Sequence, residues 1–128
     1  IYDPIKDEMF FAEKDNGAFF NNHRIRVSKK NDINGCLFAI GEKLEDENLF
    51  TTRKTGCAAL DMAYVASGRF DGYFQNNLNL WDIAAGIILI KEAGGVINDI
   101  NLSKTEKINV IASSPNISTK FQEKIDNF

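Results

Sequence analysis

Apolar and polar positions change rhythm several times along the chain, and each change marks an element. Glu8-Met9-Phe10-Phe11-Ala12-Glu13 reads as a strand, Asp15-Asn16-Gly17 as a tight turn, and Ala18-Phe19-Phe20 as the returning strand of a hairpin. A second turn at Asn21-Asn22 leads to Ile25-Arg26-Val27, whose alternation suits a half-buried strand, and the polar run Ser28 to Asn34 follows as a linker. Cys36 to Ile40 is a short apolar strand. Gly41 to Asn48 is a charged surface segment with a helical turn at most, and Phe50 to Thr55 is the next strand.

Gly56 opens CAALDMAYVASG, in which Asp61 is the only charged residue, so this helix is apolar nearly all round and is expected between layers until Gly68 ends it. Phe70 to Gln75 is predicted as a strand and Asn76 to Leu80 as a polar loop. Asp82 then caps a second buried helix, Ile83 to Ala93, whose thin first turn of Ala84, Ala85 and Gly86 lets other backbone approach. Gly94-Gly95 supplies the stop, Val96 to Ile100 and Lys107 to Ala112 are strands, and Ser114-Pro115 starts a last helix. Its stripe of Ile117, Phe121, Ile125 and Phe128 packs one face. Strands alternate with helices from Cys36 onward, which predicts an α/β class with helices covering a sheet. The division expected is residues 1–33, a strand pair and linker ending an amino-terminal domain, and residues 34–128, a carboxyl-terminal α/β domain.

Composition narrows the function classes. With 128 residues, 44% hydrophobic and 26% charged, the chain can bury a sizeable core and is not a disordered segment. The net charge of -3 lacks the basic footprint of a nucleic-acid partner. Its longest apolar stretch, Ile83 to Ile90, is far below the roughly 20 residues that span a bilayer, so no membrane partner is expected and the cytoplasm is the expected location. Cys36 and Cys57 stand outside any metal-ligand spacing and are expected reduced and buried. The chain opens on Ile1 with residues that already approach a strand, which reads as a piece of a longer protein.

Few residues offer chemistry. His23 lies in a turn beside Arg24 without an acidic partner, no Gly-x-Ser-x-Gly elbow exists, and the glycines form no phosphate-binding fingerprint. Cys57 at a helix start could be activated by the helix dipole, or could be a small buried residue at a turn. Asp82 by spacing alone is a helix cap, and Trp81 a core or pocket-lining aromatic.

Trp81-Asp82, Ala84-Ala85-Gly86, Ile88-Leu89-Ile90 and Gly94-Gly95 together resemble the carboxyl-terminal signature of the inositol monophosphatase family, and the resemblance continues upstream through RKTGCAALDMAYVASGRFDGYF and IYDPIKDEMFFAEKDNGAFFNNHRIRVS. It implies the layered sugar-phosphatase type of α/β fold, here the carboxyl-terminal α/β domain plus a β-hairpin remnant of the amino-terminal sheet. Further implied is a phosphomonoesterase that uses Mg2+ to activate water against myo-inositol monophosphate or a related sugar or polyol phosphate. Asp82 matches the family's metal aspartate, while Gly56, Cys57 and Ala58 match a segment that meets substrate hydroxyls.

Two departures bear on that expectation. Gln75 stands where inositol enzymes commonly carry a glutamate that accepts from substrate hydroxyls; an amide can still accept, without charge. Gly41 to Phe50 is too short for the family's helix, which predicts a partly exposed sheet face. The family's Gly-Glu-Glu and Asp-Pro-x-Asp-Gly-Thr motifs are absent, since Asp3-Pro4 runs on into Ile5-Lys6-Asp7. The chain by itself is therefore expected to be inactive, with a catalytically silent interaction or dimerisation module as the alternative. Strands of residues 8–27 with unpaired edges invite association, so a homo-oligomer, a dimer in the first instance, is expected.

Overall fold

In the computed structural model, residues 1–103 and 106–127 are described, and they form two sheets and three α-helices. The first sheet holds β1 (Tyr2–Asp3), β2 (Glu8–Glu13), β3 (Gly17–Phe20) and β4 (His23–Arg24), antiparallel and in chain order. Asn21 and Asn22 both take positive φ, 43° and 68°, the geometry a two-residue hairpin between Phe20 and His23 requires. The predicted strand at Ile25 to Val27 is corrected: pairing with β3 occurs at His23 and Arg24. The Ile25 N–H makes one more bond to β3, at the Ala18 carbonyl; the chain then leaves the sheet, and the Val27 N–H donates to the Ala93 carbonyl at the end of a helix.

The second sheet has five strands, β5 (Leu37–Ile40), β6 (Thr51–Arg53), β7 (Gly72–Leu78), β8 (Val96–Ile97) and β9 (Ile108–Ser113), in the order β6-β5-β7-β9-β8. β5 runs parallel to β6 and β7, whereas β9 is antiparallel to β7 and β8. Several predicted bounds move, and in this sheet two of the shifts are the largest. β7 continues three residues past Gln75, through an irregularity with Asn77 at φ 59°, so Asn76 to Leu78 is strand rather than loop. β8 stops at Ile97, because the Asn98 side chain takes over the pairing: its Oδ1 accepts from the Ile111 N–H and its Nδ2 donates to the Asn109 carbonyl.

Helices α1 (Ala58–Ala66) and α2 (Leu80–Glu92) lie between the sheets. Their Met62, Val65, Ile83 and Ile90 share one buried cluster with Phe10 and Ala18 of the first sheet and with Tyr73, Val110 and Ala112 of the second. Their nearly all-round apolarity follows from having a sheet on each side. Arg69 ties the layers at the rim, donating through both guanidinium nitrogens to the Glu8 carboxylate while lying over the rings of Phe10, Phe20 and Tyr64. The small residues opening α2 are not pressed by backbone as expected, for Ala84 and Ala85 are exposed and only Gly86 is buried, against Met62.

The far face of the second sheet is covered, contrary to the sequence expectation. Helix α3 (Ser118–Asp126) presents Phe121 and Ile125, and the irregular Gly41 to Phe50 segment folds Leu44 and Phe50 over Phe38, Ile40 and Phe74. Phe38 stacks on Phe121 at 4.5 Å, and Phe50 meets the same ring edge-on. Ile117, Phe121 and Ile125 form the predicted stripe; its last member, Phe128, lies outside the described residues. Among the described residues no helix is long and apolar enough to cross a membrane.

Candidate active site

The parallel strands β5 and β7 end side by side, and the amino termini of α1 and α2 converge on the same place. Strand ends of this kind are where open α/β sheets leave a crevice. Here Gly41, Lys54, Gly56, Ala58, Asp61, Gln75, Leu78 and Asp82 line a cleft of about 210 Å³. That is below the ~300–1,000 Å³ that encloses a small ligand, so the cleft offers one wall of a site.

Alternation along β7 decides what faces it. Phe74 points to the α3 side, whereas Tyr73 and Gln75 share the helix side. Tyr73 is fully buried and its hydroxyl donates to Gln75 Oε1 at 2.7 Å. Burial, and then the nearby Asp61, Cys57, Asp82 and Glu42, push that hydroxyl well above the ordinary tyrosine range, which keeps its proton in place. Gly41 permits the arrangement by close approach, for a Cβ there would overlap Oε1, Cδ and Cγ of Gln75. The amide oxygen that the family resemblance offered to a substrate hydroxyl therefore already accepts one hydrogen bond from within the protein.

At the start of α1, Gly56 adopts φ 80°, a left-handed turn that L side chains rarely enter. It lets Thr55 fold back, so that Thr55 Oγ1 accepts from the Cys57 N–H at 3.2 Å and donates to Asp61 Oδ1 at 2.6 Å. Asp61 is buried at 3% exposure; burial raises its pKa and the threonine hydroxyl opposes the rise. The first-turn N–H groups of α1 stand at the cleft, where an oxygen of a phosphate or hydroxyl group is favoured.

Asp82 is not the cap residue itself. The cap of α2 is Asn79, and Asp82, three residues on, accepts from the Asn79 N–H through Oδ2 at 2.9 Å in a capping box. That geometry spends one carboxylate oxygen on the helix and leaves Oδ1 without a partner among the described residues. Trp81, expected in a core or pocket wall, is 79% exposed, because α2 starts at Leu80 and not at the predicted Ile83, and turns it outward.

Gly56, Ala58, Gln75 and Asp82 are thus brought together as the sequence suggested. Cys57 is not among the lining residues and is exposed at the α1 cap, which corrects the expectation of burial. Cys36 is buried as expected; burial, and then Asp71, push its thiol up to about 11, so it stays protonated. Asp61, Lys54, Tyr73 and Gly41 were not singled out. A carboxylate in an otherwise apolar helix and a tyrosine two places before Gln75 on one strand face were the available signals.

As a test of the donor set for a metal ion, no group of three or more His, Cys, Asp or Glu is arranged to hold one among the described residues. A hard cation takes about six oxygen ligands. The free oxygen of Asp82 fits one corner of such a site and no more.

Comparison with known proteins bears on the family and the fold. The inositol monophosphatase family matches along residues 1–127. The Nus factor SuhB of Escherichia coli K12 is 37% identical over 134 aligned positions, covering 91% of this chain and 50% of that protein. Among solved structures, the extragenic suppressor protein suhB of Bartonella henselae superimposes with a TM-score of 0.88 at 41% identity, covering 98% of this chain and 56% of that one. The Thermotoga maritima IMPase does so with a TM-score of 0.87 at 34% identity, covering 98% and 54%. The chain spans about half the length of the relatives it matches.

Proposed function

The chain belongs to the inositol monophosphatase family, and from that membership we propose that it supplies one wall of the active site of a magnesium-dependent phosphomonoesterase acting on myo-inositol monophosphate or a related sugar or polyol phosphate. The observation that carries this reading is the convergence of Gly56, Ala58, Asp61, Gln75 and Asp82 on a single cleft at the carboxyl ends of two parallel strands.

Magnesium, when bound, supplies a Lewis acid that activates water and offsets charge on the phosphoryl oxygens. Asp82 is the residue of this chain that would hold it, through the oxygen its capping box leaves free, with further oxygen ligands coming from outside these residues. The α1 amino terminus beside Gly56 and Ala58 orients ligand oxygens on backbone N–H groups. Gln75 meets the part of the ligand remote from phosphate. Asp61, kept largely out of water, adds a carboxylate whose pKa burial raises.

The test is magnesium-dependent phosphate release from myo-inositol 1-phosphate by the intact natural protein and its Asp82→Asn variant. An amide can still accept from the Asn79 N–H, so the fold should persist while kcat/KM falls by about a hundredfold or more. Equal rates would sink the assignment.

A second reading, an interaction or dimerisation module without catalysis, is favoured by one observation. Tyr2, Met9 and Phe11 are 49%, 45% and 56% exposed on the first sheet, and relatives carry the name Nus factor. A natively folded intact protein that releases no phosphate with any metal supports it.

A further inference from the structure

Hydrogen-bond polarity at Gln75 can be read from its neighbours. Tyr73 is fully buried, and its hydroxyl has a single partner, Gln75 Oε1. Turning the amide over would place two donors face to face, or would give up the 2.7 Å bond and send the buried phenol proton to look for another acceptor. Gly41 backs the same amide closely, for a Cβ there would overlap Oε1, Cδ and Cγ of Gln75. Among the described residues the Gln75 amide nitrogen has no hydrogen-bond partner, although Gln75 lines the cleft.

Resting on the reading of the cleft as a phosphomonoester site, we infer that Gln75 meets the ligand as a hydrogen-bond donor, held in that orientation by Tyr73, so that the group seated there need only accept: a hydroxyl oxygen serves, and so does an uncharged acceptor without a proton such as a carbonyl, ring ether oxygen or ring nitrogen. A glutamate at this position could only accept and would demand a hydroxyl proton from the ligand. Gln75 makes no such demand. Asp61 and Asp82 line the same cleft against a single cation among the described residues, Lys54, and this balance disfavours an anionic group beside Gln75. Tyr73 is a positioning residue: it touches no ligand and acts through the amide it orients.

The experiment compares two ligands that differ in one group. The probes are myo-inositol 1-phosphate and the inosose monophosphates in which each ring hydroxyl in turn is replaced by a carbonyl. Kd is measured by calorimetry and kcat and KM by phosphate release, for the intact natural protein with magnesium and for Gln75→Glu and Tyr73→Phe.

The natural protein should bind at least one keto ligand as tightly as the hydroxyl ligand. Gln75→Glu should shift the ratio of Kd values against that keto ligand by about tenfold or more, the worth of one hydrogen bond exchanged for an acceptor facing an acceptor. Tyr73→Phe frees the amide to rotate and should move the ratio a few-fold in the same direction, in KM and Kd with kcat little changed. A loss of kcat alone would mark Tyr73 as structural only and count against the inference.

Rejection of every keto ligand by the natural protein, or a ratio that Gln75→Glu leaves within about twofold, would overturn it, as would failure of both probes to bind. If the probes bind without being hydrolysed, the phosphatase reading falls while the Kd ratio still decides the polarity of Gln75. Should Gln75→Glu not fold, Tyr73→Phe decides it.

Discussion

Two buried aspartates sit toward opposite ends of the same pair of parallel strands, and they are held in different ways. Asp71, 1% exposed, immediately precedes β7; its Oδ2 accepts from the Leu37 N–H at the start of β5 at 2.7 Å and from Lys30 Nζ at 3.1 Å. Asp61, 3% exposed, stands at the cleft near the carboxyl ends of those strands with one side-chain partner, the Thr55 hydroxyl. A backbone N–H and an ammonium hold one oxygen of the first carboxylate as part of the frame, while its Oδ1 is buried without a hydrogen-bond partner among the described residues. A single hydroxyl leaves the second with a raised pKa facing the place where a ligand would lie. Burial alone does not distinguish a functional carboxylate from a structural one; the number and charge of its partners do.

Removing the frame carboxylate should have the largest effect. Asp71→Ala strands the Leu37 N–H and uncouples the starts of β5 and β7, with an expected loss of about 3 kcal/mol in urea unfolding. A loss below about 1 kcal/mol would erase the contrast between the two ends.

Lys30→Met should cost less, about 1 kcal/mol, because the lysine side chain is 54% exposed and solvent screens its charge while the Leu37 bond remains. If this variant proved as damaging as Asp71→Ala, the clamp would be ionic rather than a backbone bond.

The smallest effect is expected at Asp61, and it has a sign that depends on pH. Its pKa is raised in the folded state, so between the ordinary aspartate value near 4 and the raised value the native protein holds more protons than the unfolded chain. Stability contributed by this group is therefore full below that window and is lost as pH rises through it. Asp61→Asn, which keeps an acceptor for Thr55, should flatten that part of the profile of Tm against pH and change stability by under about 1 kcal/mol at its acid end. A profile identical to the natural protein's would mean that Asp61 titrates as an exposed carboxylate does.

Much of the molecule was legible in its sequence because local rules dominate there. The hairpin at Asn21-Asn22, the two helices apolar on all sides and the stripe of α3 follow from turn chemistry and periodicity, and the run from Trp81 to Gly95 was enough to mark the family. Which segments would meet was implied by the family resemblance and not by local rules: of the residues it named, Gly56, Ala58, Gln75 and Asp82 line one cleft and Cys57 does not.

What the tertiary structure alone decided is how those groups are spent. Asp82 divides its oxygens between a helix cap and open space, Trp81 turns to solvent because α2 begins at Leu80, and the far sheet face is covered by Leu44 and Phe50 without a helix. Gln75 changed meaning most: its identity permits donating or accepting, and only the buried Tyr73 hydroxyl and the bare Gly41, one two residues away and the other on a neighbouring strand's end, choose between them. Spacing records which residue types are available to a site. Hydrogen-bond partners brought together by folding determine which atoms of those residues remain free to act.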